Sequence, residues 1–80
     1  MPRLRLPLRA QEIADEMRAI YGGMLNIEDI KTELGVQDRR TAEKFVDGLP
    51  FVVVNRRKRW RVSDIARRIY DKEENVDLLY

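Results

Sequence analysis

The feature that most constrains this chain is a four-residue link, Gly35-Val36-Gln37-Asp38, set between two short amphipathic segments. Upstream of it, Ile27, Ile30 and Leu34 recur at helical spacing. Asn26 precedes them as a good N-cap, and Glu28 and Asp29 fill the first turn, where the helix dipole favours acids. Gly35 closes that helix. Downstream, Asp38 stands as the next cap, and Ala42, Phe45, Val46 and Leu49 fall at i, i+3, i+4 and i+7. Gly48 and Pro50 mark the end of the second helix. The pattern reads as helix, tight turn, helix.

The flanks complete a plan around this unit. Ala10, Ile13, Ala14, Met17, Ile20 and Tyr21 predict a helix that Gly22-Gly23 terminates. Phe51-Val52-Val53-Val54 is β-branched and aromatic, a strand by propensity. After it, Trp60-Arg61-Val62 alternates apolar and basic residues as a half-buried strand does, which predicts a hairpin with its tip among Asn55 to Lys58. Ser63 is expected to cap a last helix with Ile65, Ala66, Ile69 and Tyr70 on its apolar face, leaving Arg67 and Arg68 exposed. The expected fold is α+β and mostly helical: a winged helix-turn-helix of three to four helices with a two-stranded β-hairpin wing. One domain spans residues 1–80, with a core over 10–72, a basic arm over 1–9 and an acidic then apolar tail over 73–80, where Val76, Leu78, Leu79 and Tyr80 form a patch.

Composition removes several functions. Eighty residues make one small domain, and the chain holds neither cysteine nor histidine. Disulfides, thiolate metal sites and the commonest general base are therefore excluded. The lack of cysteine fits a reducing cytoplasm. No nucleophile–base pair or glycine-rich phosphate loop is present, so neither an enzyme nor a cofactor is expected. The carboxylates Glu12, Asp15, Glu16, Glu28, Asp29 and Glu33 fall on solvent faces or helix starts, which accounts for them without a metal. No apolar run approaches the ~20 residues of a membrane span.

The net charge is only +2, but it is segregated. Residues 1–9 carry +3, residues 10–38 carry −5, residues 39–68 carry +7 and residues 69–80 carry −3. Such separation suits an electrostatic docking face. Two clusters stand out. Arg39, Arg40 and Lys44, with Gln37 and Thr41, lie on or just before the second helix of the pair, where such side chains can read base edges in a major groove. The plain alternative is a solvated face with Arg39–Glu43 as an i, i+4 ion pair. Asn55, Arg56, Arg57, Lys58, Arg59 and Arg61 form the second cluster, whose cations would neutralise phosphates or enter a minor groove. A solubilising loop is the alternative there. Trp60 could stack on a base, but its place between Arg59 and Arg61 favours an inward anchor with Val62. Arg67, Arg68, Arg3 and Arg5 are candidate phosphate contacts; exposed helix surface and a frayed terminus or edge strand explain them equally well.

The run from Leu25 to Ile69 resembles the small winged-helix domains of phage and mobile-element excisionases and of MerR-type regulators. Leu25, Glu28, Leu34, Gly35 and Val36 match the first part of that family's pattern. Leu49-Pro50, Arg59-Trp60-Arg61-Val62 and Ser63-Asp64-Ile65 match the second, and the likeness covers about residues 24–70. The resemblance implies sequence-specific binding of double-stranded DNA by a small phage-type regulator or excisionase, that is, a recombination directionality factor. It implies Gln37 to Lys44 in the major groove and Arg56 to Arg61 on phosphates or the minor groove. Expected partners are double-stranded DNA, a recombinase or other DNA-bound protein, and further copies of the chain as a homodimer or cooperative assembly. A cytoplasmic, nucleoid-associated protein with no membrane contact follows from this reading. Two alternatives stay open: a protein-interaction module whose basic wing grips an acidic partner, and RNA binding.

Overall fold

In a computed structural model, the backbone is described for residues 6–79 and the side chains for residues 6–73. Four helices and three short strands follow in the order α1 (Leu8–Tyr21), β1 (Met24–Leu25), α2 (Ile27–Leu34), α3 (Arg39–Val46), β2 (Val52–Val54), β3 (Arg57–Arg61) and α4 (Val62–Leu79). This is an α+β, mostly helical winged helix-turn-helix arrangement. The expected arm residues Arg3 and Arg5 lie outside the described residues, as do the side chains of the apolar patch at Val76 to Tyr80. Among the described residues, no helix is long and apolar enough to cross a membrane.

The helix ends follow the local chemistry. Asn26 and Asp29 form a reciprocal capping box: the Asp29 N–H donates to Asn26 Oδ1 at 2.9 Å, and the Asn26 N–H donates to Asp29 Oδ2 at 3.2 Å. Gly35 takes the left-handed conformation (φ 69°) that ends α2. Asp38 caps α3 by accepting from the Arg40 N–H at 3.1 Å. α1 begins at Leu8, after Pro7, so Leu8 and Arg9 belong to the helix. α4 continues past Lys72 to Leu79.

Burial of one stripe from each helix builds the core. Ile13, Ala14 and Met17 of α1, Ile30 of α2, Ala42 and Val46 of α3, and Ile65 and Ala66 of α4 meet around Leu25, Trp60 and Val62. α1 and α4 pack along each other as the main helical layer, and α2 packs on α3. The Tyr21 hydroxyl donates to Glu33 Oε2 at 3.1 Å, tying the end of α1 to α2.

The sheet departs from expectation in one respect. Its order is β1-β3-β2, all antiparallel, so the wing hairpin carries a third strand. Met24 pairs with Arg61 and Leu25 with Trp60. This two-residue strand anchors the base of the wing to the helical body. A second departure follows from it. Val62 N–H donates to Gly23 O at 3.0 Å, so the chain leaves β3 directly into α4 at Val62. Ser63 therefore lies in the first turn of α4 and is not its cap.

Candidate nucleic-acid interface

The basic wing is held as a hairpin of defined register. Val52 faces Arg59, Val53 faces Lys58 and Val54 faces Arg57. The connection is the two-residue turn Asn55-Arg56, with φ of 52° and 67°. Two successive positive φ values are the signature of the type I′ turn, whose twist matches that of the strands it joins. Asparagine takes this conformation readily, whereas a long side chain such as Arg56 occupies it at a cost.

Alternation along β3 separates its side chains onto two faces. Trp60 points into the core and is only 6% exposed, as its place between two arginines predicts. Phe51 meets it across the strands with ring centroids 6.3 Å apart, and Lys58 Nζ sits 4.5 Å over the Phe51 ring. This Lys58–Phe51–Trp60 stack stiffens the wing and places the lysine on the face turned towards α3. Arg59 and Arg61 occupy the opposite face, spaced ~6.8 Å apart as alternate strand residues are, while Arg57 near the tip borders the α3 side.

α3 divides its polar residues between holding itself and facing outward. The Thr41 hydroxyl donates to Asp38 Oδ2 at 3.0 Å, so it completes the cap. Asp38's carboxyl is held below its ordinary pKa by the Arg40 N–H, with the Thr41 hydroxyl next in importance. Arg39 Nε pairs with Glu43 Oε1 at 2.8 Å, the intrahelical bridge the i, i+4 spacing allows. Arg40 and Lys44 project opposite the Ala42–Val46 stripe, and Gln37 is exposed in the link before the helix. Among the described residues, Arg40, Lys44 and Gln37 have no side-chain hydrogen bond or ion pair.

A groove of about 710 Å³ runs between α3 and the wing. Val46 and Trp60 lie at its apolar side, Arg56, Arg57 and Lys58 line the wing side, and Arg39, Glu43 and Asp47 line the helix side. Its charge is mixed: the wing wall is basic and the helix wall largely acidic. The concentrated positive surface therefore consists of the wing and the outward Arg40–Lys44 edge of α3. The indole Nε1 of Trp60 and Nε of Arg59 are buried without a hydrogen-bond partner.

The two arginines of α4 separate from this surface. Arg67 Nε pairs with Asp71 Oδ1 at 3.0 Å on the exposed face of its own helix. Arg68 is half-buried, and its Nη1 donates to the carbonyls of Phe45 at 3.0 Å and Asp47 at 3.3 Å. Those carbonyls belong to the C-terminal end of α3, so Arg68 ties α3 to α4. Sequence reading placed Arg68 on an exposed face and missed this contact. It spans more than twenty residues, and no local spacing signals it.

Comparison with protein-family models, with curated proteins and with solved structures finds no match to this chain.

Proposed function

We propose that this chain binds double-stranded DNA sequence-specifically, with α3 in the major groove and the hairpin wing on the flanking backbone or minor groove. Gln37, Arg40 and Lys44 present the base-reading edge, and Arg39 joins them when Glu43 releases it. Arg56, Arg57, Lys58, Arg59 and Arg61 neutralise phosphates. The family resemblance makes a small phage-type regulator or excisionase the favoured class, acting in the cytoplasm on the nucleoid, with a recombinase or another DNA-bound protein as neighbour.

One observation carries the reading. Arg9, Arg18, Lys31, Arg39 and Arg67 each pair with a carboxylate. The cations at Arg40, Lys44 and Arg56 to Arg61 have no carboxylate partner among the described residues, and Arg56, Arg57 and Lys58 gather on the wing wall of the groove that α3 borders. Several like charges held together on a rigid hairpin repel one another, and a polyanion relieves that repulsion. The positive φ of Arg56 points the same way, because strained backbone persists where a side chain is needed.

Titration against duplex DNA at rising salt tests this. Each phosphate contact adds about −0.9 to the slope of log affinity on log salt, so replacing Arg56, Arg57 and Lys58 by alanine flattens it by roughly 2.7. Arg40→Ala and Lys44→Ala relax preference in a selection from random duplexes, by about 1–3 kcal/mol at the base each one reads. Absence of duplex binding at low salt would overturn the proposal. Tighter binding to single-stranded RNA or to an acidic protein would move the function to one of the other two classes.

A further inference from the structure

We infer that the free edge of β2 pairs with the same edge of a second copy of this chain, joining two wings into one continuous sheet on DNA. The inference rests on the DNA-binding reading above.

Val52, Val53 and Val54 form the outer strand of the order β1-β3-β2, and all three are exposed, Val53 at 59%. Proteins commonly blunt such edges with a charge, a proline or a bulge. This strand has none of these within it; Pro50 precedes it. In an antiparallel ladder, hydrogen-bonded and non-bonded pairs alternate. The Val54–Arg57 pair closes the two-residue turn and so is hydrogen-bonded, which leaves Val53 as the residue whose N–H and C=O face the free edge.

That geometry is self-complementary. With a two-fold axis at Val53, each Val53 exchanges both hydrogen bonds with its counterpart, and Val52 of one copy faces Val54 of the other. Every cross-strand contact is valine on valine. The edge holds no charge of its own that would select an acidic strand instead. The two β3 strands, with their arginines, end up three strand spacings apart, about 14 Å. That exceeds the ~8 Å Debye length at physiological salt, so their repulsion is largely screened. The axis stands perpendicular to the sheet, which keeps both copies of α3 on the same side, as one duplex requires.

A three-residue strand falls well short of the ~800 Å² per partner of a standard interface, so the pairing is weak in free solution. DNA supplies the missing term by holding two copies at high effective concentration. The expected target is therefore an inverted repeat bound cooperatively, the second copy about tenfold tighter than the first.

The chain lacks cysteine, so a single introduced thiol reports the register directly. Hydrogen-bonded antiparallel pairs lie about 5.5 Å apart at Cα, within disulfide reach. Under mild oxidation, Val53→Cys crosslinks into a dimer on duplexes carrying two inverted sites and not on duplexes carrying one. Val52→Cys crosslinks poorly, since it faces Val54. Val53→Pro, which removes the edge donor, binds a single site normally and loses the tenfold cooperativity. Intact single-site binding with independent filling of two sites and no crosslink would overturn the inference and leave DNA binding standing. Equal crosslinking at Val52 and Val53 would overturn it as well. Failure to bind a single site would remove the DNA reading and this inference together.

Discussion

Arg68 gives the sharpest test of how the interface is held. Its guanidinium reaches the carbonyls of Phe45 and Asp47 at 3.0 and 3.3 Å, at the end of α3 where helical carbonyls lack intrahelical partners. A hydrogen bond to a charged group contributes about 1.5–3 kcal/mol, and a cation at a helix C-terminus adds a few tenths. The second bond is longer and solvent-exposed, so the low end applies and Arg68→Ala costs about 2 kcal/mol. A domain of this length has roughly 4–12 kcal/mol in total. With a urea m-value of about 1 kcal/mol/M, the midpoint falls by about 2 M. Arg68→Lys keeps the charge but not the fork, and recovers about half. On the proposed DNA-binding reading, the affinity of the alanine variant for duplex drops at every salt concentration with its salt slope unchanged, because α3 is displaced and no phosphate contact is lost. A stability loss under about 0.5 kcal/mol, together with a slope flattened by about 0.9, would refute this reasoning and make Arg68 a phosphate contact.

Three further perturbations bear on the wing and the helix caps. Arg56→Gly relieves a side chain held at φ 67°, so it stabilises the fold by about 1 kcal/mol in thermal or urea unfolding while flattening the DNA salt slope by about 0.9. Asn26→Ala removes one arm of the capping box and costs about 1 kcal/mol by the same unfolding measurement. The depressed pKa of Asp38 means that its folded carboxyl holds its charge to lower pH than the unfolded one. Its contribution is present above the ordinary value of 3.8 and is lost as pH falls through the folded pKa. Asp38→Asn keeps an acceptor for the cap but cannot titrate, so its acid unfolding curve below pH 4 is shallower than that of the parent; identical curves would show that the cap does not couple to protonation.

What the sequence conveys and what it hides follow from the range of each interaction. Asn26, Gly35 and Asp38 act on backbone groups within three or four residues, so the boundaries of α2 and α3 are legible in a linear reading. The inward turn of Trp60 is legible too, since alternation with Arg59 and Arg61 assigns it a face. β1 is not: Met24-Leu25 is too short to show a period, and it becomes a strand only because β3 returns alongside it. The start of α4 is displaced for the same reason. Ser63 has the chemistry of a cap, but the bond from Val62 to Gly23 carries the helix back to the end of the strand.

The partly legible element is α3, and it shows how one short helix divides its polar residues. Thr41 and Arg39 look from their positions like base readers, yet Thr41 completes the Asp38 cap and Arg39 is bound by Glu43. An exposed ion pair of that kind is worth under about 1 kcal/mol, so a phosphate or guanine can take Arg39 from Glu43 at little cost. Thr41 is committed more firmly, because moving its hydroxyl loosens the start of the helix it would serve. On the proposed DNA-binding reading, the base-reading set on α3 therefore narrows to Arg40 and Lys44, with Arg39 as a conditional member and Gln37 just ahead. Arg40 is the more informative of the first two: its N–H anchors the cap while its side chain faces out, so the turn that starts the helix also sets where its guanidinium points.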